Sequence, residues 1–262
     1  MTNIDKTLSK GLAILETMSR MDRPVGVSAL ANSSNLTKSN VHRLLQSLKK
    51  LGYIRQCATS PAYELTPKMW EIGSAYLSHT NIHAAAFDDM HSLGRVSRET
   101  IHLSILDQQD IIYIGKIDSR LPIQAYSQLG ARAPIHAVAT GKAILAHQNT
   151  QALNEILPDQ LEAYTTTTTI NKEQLLEELE QVASKGYAIN MGEWRAGVNG
   201  VAAPIWDATR QVCAGIGITG PAERLDYASL LEFAPVVVRA AKNISRKIGY
   251  TKPRFKRHIH KS

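Results

Sequence analysis

Leu36–Tyr53 reads LTKSNVHRLLQSLKKLGY, with Val41, Leu44, Leu45, Leu48 and Leu51 recurring at helical spacing. One face of such a helix is apolar and turns toward a core. The other faces carry Lys38, Ser39, Asn40, His42, Arg43, Gln46, Lys49 and Lys50, and the segment contains no carboxylate. Thr37 is placed to cap the helix, and Gly52 to end it in a left-handed residue. A short amphipathic helix, basic and free of acids, suits the major groove of DNA. Taken alone it reads equally well as a surface helix, so its neighbours decide.

Upstream, Leu8, Leu12, Leu15 and Met18 or Ser19 pattern a first helix over residues 5–20, stopped by the turn Asp22–Gly26. Val27–Ala31 begins a second short helix, and Asn32–Asn35 reads as a polar turn before the basic helix. Two helices joined by a short turn, the second basic, make a helix-turn-helix. Downstream, Tyr53–Gln56 and Ala62–Leu65 alternate around Cys57–Pro61 and predict a β-hairpin, the wing of a winged helix. Arg55, Gln56, Thr59 and Ser60 of that wing are expected to meet phosphate or the minor groove. Ser39, Asn40, His42 and Arg43 are assigned to base edges, and Lys38, Lys49 and Arg55 to phosphate.

Charge is unevenly spread. Residues 1–80 carry a net +5, residues 81–238 a net −7 and residues 239–262 a net +9. An acidic centre between basic ends separates two domains and places polyanion contact at the ends. Hydrophobic residues make up 44% of the 262-residue chain, enough for a core in each part. Cys57 and Cys213 lack metal-type spacing and fit a reducing compartment. No signal-like or membrane-length apolar run occurs, so the chain is expected in the cytoplasm, away from membranes.

Thr66-Pro67 opens a further helix, or two, reaching about Arg95. Thr100–Leu106 and Ile111–Ile117 read as strands around Asp107–Asp110, and Ile123–Ser127 as a third. Leu129–Pro134 reads as a loop, His136–Ala146 as a helix, and Leu153–Leu157 as a short one. Thr165–Thr169 reads as extended, followed by a helix capped by Asn171 and closed at Gly186. Tyr187–Met191, Val198–Trp206 and Val212–Thr219 are strands, with Gly220-Pro221 in a turn, and Ala228–Ile248 is the last helix. Runs of strands with helices between them predict an α+β domain with a mostly antiparallel sheet.

Catalytic and metal signals are thin. Thr140-Gly141-Lys142 fails as a phosphate loop, because His136 stands where a glycine is needed and Ala143 follows the lysine. Gly130 and Gly141 are instead expected to serve loop geometry and close helix–strand approach. His79 and His83 are four residues apart but lack a third ligand, and the scattered histidines, His102 among them, read as core or solvated groups. No metal or cofactor is predicted. Small residues cluster between Tyr187 and Thr219, where a ligand can approach backbone or a sheet can pack tightly.

Three stretches carry a family likeness. The winged-helix order, Leu129–Ala143 (LGARAPIHAVATGKA), Glu193–Asp207 (EWRAGVNGVAAPIWD) and Ile216–Pro221 (IGITGP) resemble the IclR (isocitrate lyase regulator) family of bacterial transcription factors. The resemblance implies a winged helix-turn-helix domain (1–66), a linker and dimerisation helix (67–95), a GAF/PAS-like effector domain (96–250) and a basic tail (251–262). It implies operator DNA as partner, a homodimer or homotetramer, and repression of a catabolic operon more often than activation. Its effectors are small organic acids; a sugar acid is expected by class. It places effector binding at Gly130, Ala131, Asn190, Gly200, Val201, Gly217 and Thr219. Where some members carry an acid, a cysteine and two serines, this chain has Asn190, Gly200, Gly217 and Thr219. A bound carboxylate is therefore expected to lean on backbone N–H groups and Thr219. An enzyme tethered by its N-terminal module and a ligand-independent DNA binder are the alternatives; no enzymatic activity is expected.

Overall fold

The computed structural model describes residues 4–21, 23–73, 82–124 and 127–251. The chain forms two compact units, Met1–Thr80 and Asn81–Ser262.

The first unit runs α1 (Lys6–Ser19), α2 (Val27–Ser34), α3 (Lys38–Lys50), β1 (Ile54–Gln56) and β2 (Tyr63–Leu65). Val41, Leu44, Leu45 and Leu48 of α3 join Ile14, Leu15, Met18, Leu30, Ile54 and Tyr63 in one core. The apolar stripe of α3 thus packs as its spacing requires, while Leu51 stays exposed. Thr37 accepts from Asn40 N at 3.4 Å, and Gly52 takes φ +82°. α1 turns differently from its sequence reading: Ile14, Leu15 and Met18 face inward, and Leu8 and Leu12 are exposed. The polar turn also moves. α2 continues through Asn32–Ser34, where Ser34 Oγ donates to Leu30 O, and Asn35 makes the break at φ +52°. Asn tolerates that left-handed region better than most residues. β1 and β2 pair antiparallel, and Val25 adds a bridge to Tyr63 that the sequence did not suggest.

Residues 68–73 are helical, the next described helix being α4 (Ile82–Ser97), so whether one helix or two reaches Arg95 is a question outside the described residues.

The second unit is a six-stranded antiparallel sheet in the order β5-β4-β3-β8-β7-β6. Its strands are β3 (Thr100–Asp107), β4 (Asp110–Ile117), β5 (Arg132–Pro134), β6 (Ala188–Met191), β7 (Val198–Trp206) and β8 (Val212–Pro221). α4 and α8 (Tyr227–Lys247) pack together, joined by Asn243 and Lys247 to Asp89 at 3.1 and 2.8 Å. Gly94 lies against Ile101 and Ile117, and Gly115 against Leu103 and Met90, so α4 covers the odd-numbered face of β3. α5 (Ala139–Leu145), α6 (Thr150–Ile156) and α7 (Lys172–Lys185) complete the unit. α5 crosses the opposite face, where Ser104 Oγ donates to Thr140 Oγ1 at 3.1 Å and Gly215 abuts Thr140.

Several local expectations are corrected. Residues 120–123 form bends and 124 and 127 are irregular, so the described part of Ile123–Ser127 is not a strand. The loop Leu129–Pro134 ends in β5. The helix expected over His136–Ala146 is broken at Val138, between a 3₁₀ turn (Ile135–Ala137) and α5. Thr165–Thr169 is a turn: Thr168 Oγ1 accepts from the backbone N of Tyr164 and Thr165 at 3.0 and 2.9 Å. The threonine hydroxyls outcompete an extended ladder here. Gly220 and Pro221 belong to β8, pairing with Asn199 and Val198. The basic tail from Lys252 lies outside the described residues.

Candidate DNA-reading surface and ligand cavity

Lys38, Ser39, His42, Arg43 and Lys49 are exposed on α3, and Asn40 is half-buried at its first turn. Their partners are few and local: Arg43 Nη2 donates to Asn40 Oδ1 at 3.4 Å, and His42 Nε2 lies 3.4 Å from Gln46 Nε2. Gln46 also donates to Tyr63 Oη at 3.2 Å, tying α3 to the hairpin. Arg55 is exposed on β1, yet its Nε holds Glu64 Oε1 of β2 at 2.6 Å. Arg55 therefore reaches a phosphate only by sharing its guanidinium with that carboxylate. Lys68 Nζ donates to Leu51 O at 2.8 Å and stands 4.7 Å from the Tyr53 ring centroid, fixing the end of α3.

In the second unit the α5 face of the sheet encloses a small, partly open cavity of about 40 Å³. Its polar lining is His102, Tyr113, Ser127, Thr140, Asn190, Asn199 and Thr219, with Arg195 and Trp194 from the loop before β7; among the described residues no carboxylate lines it. His102 is 3% exposed. Its Nε2 lies 2.6 Å from Ser127 Oγ and its Nδ1 3.3 Å from Thr219 Oγ1, with its ring 4.4 Å from that of Tyr113. Burial, reinforced by the Lys116 charge, lowers its pKa to about 3, so the ring is neutral at physiological pH. A neutral imidazole donates at one nitrogen and accepts at the other. One of the two hydroxyls consequently receives a hydrogen bond from the ring and keeps its own proton for a ligand. Lys116 Nζ, behind His102, donates to Ser127 O at 2.6 Å and pairs with Asp118 at 2.5 Å. Burial raises the Tyr113 phenol far above its ordinary value, offset in part by Arg195. Tyr113 is a donor there, never an anion.

Of the residues the sequence assigned to the effector, Asn190, Gly200 and Thr219 line the cavity, while Gly130, Ala131, Val201 and Gly217 do not. Val201 pairs with Ile218 and, by strand alternation, turns to the other face of the sheet. Gly217 neighbours His102, but a Cβ there would lie 2.7 Å from Val201 O, so the glycine permits strand packing. Gly130 and Ala131 bond Tyr113 through backbone at 2.7 and 3.1 Å, supporting the wall from outside. Asn190 is largely engaged, its amide donating to Ala137 O and accepting from Glu193 N. The sequence missed His102, Tyr113, Ser127, Thr140, Trp194 and Arg195. A signal was present in β3, where Thr100, His102 and Ser104 alternate with Ile101 and Leu103 yet all five are buried. A buried polar strand face calls for polar partners or a ligand.

Among the described residues no group of side chains fits a metal ion, and no helix is long and apolar enough to cross a membrane. His79 lies outside them, and His83 is exposed.

A basic helix in a winged fold, with an α+β unit enclosing a polar cavity, defines a DNA-binding transcriptional regulator with a small-molecule sensor. The IclR helix-turn-helix domain model matches residues 7–57, and the model for the bacterial transcriptional regulator IclR C-terminal region matches residues 74–246. The chain belongs to the IclR family of bacterial transcriptional regulators. It is similar to the HTH-type transcriptional regulator KdgR of Dickeya chrysanthemi, 36% identical over 230 residues, spanning 87% of this chain and 75% of the relative. Against the transcriptional repressor IclR of Escherichia coli K12 it is 30% identical, over 93% of this chain and 90% of that one. The crystal structure of Thermotoga maritima IclR superposes with TM-score 0.79 at 31% identity, covering 93% of this chain and 99% of that one.

Proposed function

We propose that the chain is a cytoplasmic repressor of a catabolic operon, not an enzyme, whose DNA affinity is set by a small organic acid, a sugar acid by class, held in the cavity. The observation that carries this reading is a cavity with no carboxylate lining it among the described residues, with Arg195 in its lining and Ser127, Thr140 and Thr219 supplying hydroxyls around it. A carboxylate there finds charge and donors together. Sugar hydroxyls suit the neutral His102 and the Tyr113 phenol. The similarity to a named repressor supports the sign of regulation.

On the DNA side, Ser39, Asn40, His42 and Arg43 read base edges and Lys38, Lys49 and Arg55 hold phosphate. The chain acts as a homodimer or homotetramer, with residues 67–95 linking a DNA-binding part (1–66) to an effector part (96–250). A thermal-shift screen of organic acids tests the sensing half, since a ligand specific to the folded state raises apparent stability. If no acid stabilises the chain, that half fails.

An enzyme remains the second reading on one observation: Ser127 Oγ stands 2.6 Å from His102 Nε2, a nucleophile–base distance. Against it, His102 Nδ1 faces the Thr219 hydroxyl and not a carboxylate, and its lowered pKa makes it a poor base at neutral pH. Turnover of an ester panel would establish the enzyme reading; acids recovered unchanged support the sensor.

A further inference from the structure

Lys142 is 1% exposed, and neither DNA reading nor effector contact uses it. It comes from α5, whose first residues, Ala139 and Thr140, line the cavity. Its Nζ meets Glu193 Oε2 at 2.5 Å and Glu178 of α7 at 2.7 Å. Glu193 is itself buried, and its backbone N–H is held by Asn190 Oδ1 at 3.3 Å. Its carbonyl accepts from the hydroxyls of Thr168 and Thr165 at 2.5 and 3.2 Å. The next two residues are Trp194 and Arg195, both in the cavity lining, with the Arg195 guanidinium 4.3 Å from the Trp194 ring centroid. Gly192 and Gly197, at φ +73° and +75°, bound this short loop. Glu193, bonded through both its N–H and its carbonyl, anchors this loop. The ion pair joins that anchor to α5 on the far wall.

We propose that Lys142 and Glu193 form a latch that holds Trp194 and Arg195 over the cavity, making both positioning residues for effector binding. Neither touches the effector. Burying a pair of charges gives little net stability compared with an apolar pair, so the pair acts here through the geometry it imposes. The inference rests on the reading of the cavity as the effector site, and its test separates the two.

The test uses full-length protein with Trp70→Phe and Trp206→Phe, leaving Trp194 as the fluorophore. Glu193→Gln and the double variant Lys142→Met/Glu193→Gln are compared with this parent; the double variant leaves no buried charge of the pair unmatched, so the fold is kept. Acrylamide quenching of Trp194 reads the latch, and D-gluconate and pyruvate binding reads its consequence. In the double variant, quenching is expected to rise and acid affinity to fall about tenfold, as a closed population reduced to about a tenth requires. Melting temperature and DNA binding without acid serve as fold controls. Unchanged quenching overturns the latch. Increased quenching with unchanged acid affinity overturns the positioning role. If the parent binds neither acid, the reading of the cavity fails, and quenching alone decides the latch.

Discussion

Replacing Arg43 by Ala isolates DNA reading from folding. The side chain is exposed, and its one described bond, to Asn40 Oδ1, is long at 3.4 Å. Ser47 Oγ bonds the Arg43 carbonyl, which the substitution keeps. Stability should therefore change by no more than about 0.5 kcal/mol. Removing a guanidinium that bonds guanine in bidentate fashion costs about 1–3 kcal/mol, or roughly 5- to 150-fold in affinity. The assay is fluorescence anisotropy on a fragment selected by the native protein from random-sequence DNA, run beside unrelated DNA across a salt series. Arg43→Ala should weaken binding to the selected fragment and relax specificity at one base position. Equal weakening on both DNAs, with the log–log salt slope reduced by about 1, would reassign Arg43 to phosphate. Unchanged affinity for both DNAs would refute the placement of this face of α3 in the groove.

Other perturbations test other parts. Glu64→Gln removes the carboxylate that holds Arg55 and should tighten binding to unrelated DNA about 1.4- to 5-fold, since exposed pairs contribute about 0.2–1 kcal/mol; unchanged affinity would show that Arg55 meets no phosphate. His102 has a folded pKa below its unfolded value, so its contribution to stability is complete above about pH 6.5 and is lost as pH falls toward about 3. His102→Gln should accordingly flatten the rise of stability with pH in that window by up to about 1.4 kcal/mol per pH unit, measured by urea melts. Gly141→Ala puts a Cβ 2.0 Å from the backbone oxygen of Ile135, which cannot rotate away. Overpacking of this kind costs about 1–3 kcal/mol or more, visible as a melting temperature lower by several degrees.

The reading unit was legible because its signals are local. The α3 stripe, the Thr37 cap, Gly52 and the wing lie within one short stretch, and each acts over a few residues. The errors there came from local competition, as where Ser34 extends α2 through the residues read as a turn. The cavity was harder, because its lining comes from separated segments brought together by strand order. His102 meets Ser127 and Thr219 across 25 and 117 positions, and no periodicity reports such pairs. The motif around Lys142 gave no hint of its carboxylate partners, which come from α7 and the loop before β7. Val201 and Gly217 sit in two motifs that do border the cavity; register turns Val201 to the other face, and close strand packing accounts for Gly217.

The most direct test of the account is a titration of D-gluconate, pyruvate and related acids into the complex of native protein with its selected DNA fragment, repeated with Thr219→Val and Arg195→Met. The account predicts that at least one acid weakens native DNA binding, by the roughly 5- to 150-fold typical of coupling between sites, and that both variants need more of that acid for the same release. DNA binding indifferent to every acid, or variants that respond as the native chain does, would contradict it.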